Sequence, residues 1–210
     1  MMFSWFEQRL DPFPPAEPAE PPKTLFAFCW YYTRASWPFV LLAAICMALI
    51  AVMEVWMFGF LGHIVDWLAA QNRETFLRTE KWKLVGMALV AGVALPAVVT
   101  VSSLTTYQTL FGNYPMRIRW LVHRYLLKQS MTFYQDEFAG RIATKLMQTA
   151  LAVRETVVKF VEVLNYVVVY FLGVIVIVGS ADWRLAAPLA VWLVGYLFVL
   201  RYFIPRLGRV

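Results

Sequence analysis

The chain has 210 residues, 61% of them hydrophobic and 15% charged, with a formal net charge of +6 and a mean hydropathy of +0.62. Soluble domains average about 45–50% apolar and about 25% charged residues, so an ordinary water-soluble globule is excluded and the long uncharged runs point to lipid as the solvent. The basic excess does not indicate nucleic acid, because Lys and Arg flank the apolar runs and no base-reading motif accompanies them.

Residues 1–10 are too short and too mixed for a cleavable signal peptide. Residues 11–22 hold six prolines. Proline fixes φ and removes backbone donors, so this stretch reads as an extended tether, with a binding role as the alternative, and residues 1–23 as a cytoplasmic Pro-rich tail. Residues 24–37, Thr-Leu-Phe-Ala-Phe-Cys-Trp-Tyr-Tyr-Thr-Arg-Ala-Ser-Trp, are dense in rings suited to the headgroup layer, which predicts an interfacial elbow helix.

Four spans follow, at about 38–62, 84–112, 161–180 and 185–204. The first opens on Pro38, which suits a first helical turn, and carries one charge, Glu54. At about 1.5 Å rise per residue it measures roughly 37 Å, enough to cross with some tilt. A polar connection, 63–83, leads to the second span, which has no charge but contains Pro96, a predicted kink. The third and fourth are joined by a short turn at Asp182 and Arg184. With the N-terminus inside, fourteen of the 19 Lys and Arg fall inside and five outside. The positive-inside rule therefore puts both ends in the cytoplasm.

Residues 113–160 are too polar to span. Ile118, Leu121, Val122, Tyr125 and Leu126 form one helical stripe, and Ile142, Leu146, Ala150, Val153 and Val157 a second. Each limb continues a span beyond the bilayer by roughly 25–35 Å. Between them lies Phe133-Tyr134-Gln135-Asp136-Glu137-Phe138-Ala139-Gly140, the tip of a cytoplasmic hairpin, where Gly140 permits a sharp turn or close packing.

Single residues stand out against this background. Glu54 is an intramembrane carboxylate, costly unless paired, hydrated or protonated. It either faces a substrate cavity and attracts cations or is hydrogen-bonded within the bundle. Asn165, Tyr166 and Tyr170 line the same cavity or make polar helix contacts. Glu162 is an interfacial acid, solvated or paired with Lys159 or Arg154. Cys29 and Cys46 make no disulfide framework, and His63 and His123 belong to no metal-ligand spacing.

Phe133-Tyr134-Gln135 followed by Gly140-Arg141-Ile142-Ala143-Thr144-Lys145-Leu146 resembles the transmembrane domain of ABC exporters, of the type 1 or type IV fold and the bacterial multidrug branch. Met147-Gln148-Thr149-Ala150 and Arg154-Glu155 fit the same branch. The resemblance implies an all-α membrane fold in a bacterial inner membrane, with residues 38–210 a partial transmembrane domain and 113–160 its coupling loop. It implies that Phe133, Tyr134, Gln135, Asp136, Glu137, Phe138 and Gly140 rest on a nucleotide-binding domain. It further implies a second transmembrane half, as a homodimer, and a small amphipathic substrate. The family has six spans per half, and this sequence holds neither a Gly-x4-Gly-Lys-Ser/Thr loop nor a Leu-Ser-Gly-Gly-Gln signature. ATP and magnesium would thus be cofactors of a domain outside this chain, which reads as the N-terminal part of a longer half-transporter or a truncated gene product. The rival class is a stand-alone four-span scaffold or interaction protein.

Overall fold

The computed structural model describes residues 4–15, 20–70, 80–136 and 139–207. The described residues fold into helices in the order α1 (Ser4–Glu7), α2 (Leu25–Thr33), α3 (Trp37–Ala70), α4 (Lys81–Leu126), α5 (Met131–Asp136), α6 (Gly140–Ala181) and α7 (Trp183–Leu207). Four of them are long and apolar enough to cross a membrane: Trp37–Val65, Lys81–Leu126, Gly140–Ala181 and Trp183–Phe203. The all-α, four-span expectation holds, and the chain is a multi-pass membrane protein.

Each crossing is helical because lipid offers no partner for a free backbone group. The most apolar windows of α4, α6 and α7 have no buried share within the chain. Their apolar faces, with Val176, Val191 and Phe198 among the most exposed, therefore meet lipid or further protein. The closest packing joins α3 to the Asn165–Ala181 part of α6. A Cβ at Gly173 would stand 3.0 Å from Val55 Cγ1, and one at Gly59 would stand 3.0 Å from Ile177 Cδ1. Small residues let these two backbones approach.

α4 and α6 run unbroken from the apolar zone into the polar limbs. The helical ladder widens to i→i+5 bonding at Val90–Ala94, Leu104–Leu110 and Phe160–Leu164. Two of these wide turns precede prolines, Pro96 and Pro115. Each ring removes one donor and crowds the carbonyl four residues back. The wide turns themselves end on i→i+5 bonds, Leu95 N–H donating to Val90 O and Phe111 N–H to Thr106 O. The turn Val90–Ala94 lies just before Pro96, where a kink was expected.

Beyond the spans, both predicted stripes face each other. Ile118, Ala150 and Val153 share a buried cluster with Tyr114, Tyr32 of α2 and Leu10 of the tail, and Leu121, Val122 and Val157 pack around it. The elbow is tied in by polar contacts as well. The Tyr114 hydroxyl donates to Thr33 Oγ1 at 2.6 Å, and Thr33 Oγ1 donates to the Cys29 carbonyl at 2.5 Å. Burial pushes the Tyr32 phenol up to about 12, so the ring stays neutral in the cluster. On the other side of the apolar zone, Asp182 closes the α6–α7 turn by accepting the Arg184 amide at 2.9 Å.

Candidate functional site

Two regions gather the candidate residues. The first is the α3–α6 seam. The Tyr166 hydroxyl donates to Glu54 Oε2 at 2.5 Å across that seam, and Tyr166 stacks on Tyr170 with centroids 5.6 Å apart. Glu54, Tyr166 and Tyr170 are all half-buried. A phenol hydroxyl donates one hydrogen bond and leaves the carboxyl's remaining lone pairs open, so the group presents acceptor oxygens beside two stacked rings. Asn165 is one helical position away. Its amide donates to the Ala44 carbonyl on α3 at 2.6 Å, which ties the two backbones.

Near the start of this seam Glu162 departs from its expected partners. It accepts a hydrogen bond from Thr106 Oγ1 at 2.5 Å, rather than sitting as a solvated acid or joining Lys159 or Arg154. Arg154 instead lies 3.2 Å from Glu155 Oε1 and covers the Phe111 ring at 4.7 Å. The reason is register. Thr106 and Glu162 each sit in a wide turn, Leu104–Leu110 and Phe160–Leu164, and Thr106 is turned inward (5% exposed) onto Glu162. Sequence periodicity at 3.6 residues could not place these two side chains opposite each other. Pro115 downstream was the available signal.

The second region is the arm tip. Leu126 ends α4, and Ser130 Oγ accepts the Phe133 amide at 3.4 Å as α5 begins. Phe133 and Tyr134 meet edge to face with centroids 5.4 Å apart, and the Tyr134 hydroxyl donates back to the Leu126 carbonyl at 2.6 Å. α5 is thus a short helix pinned to the end of α4. Met131, Tyr134 and Gln135 are exposed. Gly140 is exposed at the start of α6, where Thr144 Oγ1 donates to its carbonyl at 2.8 Å. Glu137 and Phe138 lie outside the described residues, as does the side chain of Asp136.

Four apolar helices, two of them continued past the apolar zone as a two-limbed arm, define a multi-pass membrane domain. The comparisons with known proteins identify which. The family profile of the ABC transporter transmembrane region matches residues 39–210, and the chain belongs to that family. It is also similar to an uncharacterized ABC transporter ATP-binding protein of Haemophilus influenzae, strain Rd, at 40% identity over 208 residues. That match covers 99% of this chain and 34% of the relative, so the chain spans about a third of the relative's length. No solved structure matches.

Proposed function

We propose that this chain builds part of the substrate pathway of an ATP-driven exporter and transmits the work of a nucleotide-binding domain through its arm. The observation that carries the reading is the tip. α5 holds Met131 at 76% exposure and Tyr134 at 37% at the end of a limb pair whose base is a buried core. Exposed apolar and aromatic side chains on a rigid short helix suit a protein partner. The family membership and the ATP-binding relative support the identity of that partner. The transporter then works by alternating access as a homodimer in a bacterial inner membrane, both ends of the chain inside. ATP and magnesium act in the nucleotide-binding domain.

Glu54, Tyr166 and Tyr170 form the substrate-facing group in this reading, with Asn165 setting the helix spacing beside it. A carboxylate flanked by stacked rings attracts a cationic, amphipathic compound by charge and by ring quadrupole. Two experiments on the intact transporter test the proposal. Asp136→Lys with Glu137→Lys, or Tyr134→Ala alone, uncouples ATP hydrolysis from transport while insertion stays normal. Unchanged substrate-stimulated ATPase in both variants would remove the tip from the coupling path. Glu54→Gln lowers export of cationic compounds more than of neutral ones, and equal export of both would dismiss the cavity assignment.

A further inference from the structure

Residues 6–15 lie along α4, and the contacts form a series. Thr109 Oγ1 donates to the Phe6 carbonyl at 3.0 Å. The Asn113 amide donates to the Glu7 carbonyl, and Arg117 Nη1 to the Asp11 carbonyl at 2.7 Å. Trp120 Nε1 donates to the Pro14 carbonyl at 3.1 Å, and Arg124 Nη1 to the Pro15 carbonyl at 2.9 Å. Tail and helix therefore run in the same direction.

The spacing on α4 is what makes this a site. Positions 113, 117, 120 and 124 fall within an arc of roughly 60° at about 100° per residue, so one narrow face carries all four donors. Arg and Trp side chains can only donate. Opposite them stands a segment in which Pro12, Pro14 and Pro15 have no N–H to offer. A donor ladder thus meets a backbone rich in unopposed acceptors. Two side chains set the register: Leu10, 3% exposed, enters the cluster of Tyr32, Tyr114, Ile118, Ala150 and Val153, and Phe13 stands edge-on to Trp120 with centroids 5.3 Å apart. The Phe13 amide closes a local turn onto Asp11 Oδ1 at 2.9 Å, which presents the Asp11 carbonyl to Arg117.

We propose that the Asn113–Arg124 face of α4 is a recognition site for an extended, proline-bearing segment, filled by this chain's own N-terminus as a releasable strap. Recognition is by main-chain carbonyls with two side-chain anchors, the mode by which preformed extended segments bind at low entropic cost. The strap joins α2, α4 and α6 at one point through Leu10.

The test uses the full transporter in lipid nanodiscs, with and without residues 1–22, and a fluorescent peptide of residues 1–22. Anisotropy should show saturable binding to the shortened protein and at least tenfold weaker binding to the intact one, whose own segment competes. Arg117→Ala and Trp120→Ala in the shortened protein should each weaken binding at least tenfold, as should Leu10→Ala in the peptide. Absent binding, equal binding to both proteins, or indifference to these substitutions would overturn the site. A second readout serves if the shortened protein fails to insert. In the intact transporter, Trp120→Ala with Arg124→Ala should accelerate trypsin cleavage after Arg9 at least tenfold, and an unchanged rate would overturn the proposal equally.

Discussion

Replacing Gly173 by Ala should loosen the α3–α6 seam, whereas the same change at Gly59 should not. A Cβ at Gly173 would meet three atoms of one side chain, Val55 Cγ1 at 3.0 Å, Cγ2 at 3.2 Å and Cβ at 3.4 Å. Valine in a helix has one strongly preferred rotamer, and Val55 is 6% exposed, so it cannot turn aside and the helices must part. Overpacking of this kind costs about 1–3 kcal/mol, against which alanine's helix propensity returns about 1 kcal/mol. A Cβ at Gly59 would meet Ile177 closely only at Cδ1, 3.0 Å away, with the next atoms at 3.9 Å. That terminal methyl can rotate, so the propensity gain stands nearly alone. Gly59→Ala should therefore exceed Gly173→Ala in stability by about 1–3 kcal/mol. SDS titration of the purified transporter in dodecyl maltoside, followed by tryptophan fluorescence, measures the difference. Equal losses at the two glycines, or a greater loss at Gly59, would refute the argument that branching at Val55 decides the outcome.

A double-mutant cycle on Glu54→Gln and Tyr166→Phe should give a coupling of about 0.6–1.7 kcal/mol, the range of interhelical hydrogen bonds in lipid, read by the same titration. Tyr114→Phe, which deletes only the hydroxyl donated to Thr33, should cost about 0.5–1.5 kcal/mol, while Tyr114→Ala should cost about 3–5 kcal/mol for its lost buried ring. Thr106→Val should destabilise by about 1–3 kcal/mol because Glu162 loses its donor, and Thr106→Ser should restore most of that. A thermal-shift series on the four single variants would check the order.

The crossings were legible because lipid imposes one rule on every residue of a span: stay apolar and bond to oneself. The limbs were legible for a related reason. Ile118, Ala150 and Val153 recur at helical spacing in otherwise charged sequence, and those stripes are what the structure buries. The motif from Phe133 to Leu146 supplied the family, and the matched profile agrees. What the tail lies against was hidden, because proline content reports stiffness and not the surface a stiff segment meets. It is held through its own main-chain carbonyls, which carry no sequence signature, and the clue lay a hundred residues away in the spacing of the donors Asn113, Arg117, Trp120 and Arg124. The pairing of Tyr166 with Glu54 was likewise hidden, since two residues 112 apart meet only once the α3–α6 packing is known.

The cluster around Tyr32 has a consequence for biogenesis. Its partners on α6, Ala150 and Val153, are synthesised roughly 120 residues after it. At about 5–20 residues per second the elbow waits on the order of ten seconds beside a ribosome with half of its core not yet made. Trp30, Tyr31 and Tyr32 carry rings with a polar edge, the kind that a headgroup layer accommodates. The buried place of Tyr32 is therefore completed only by residues made long after it.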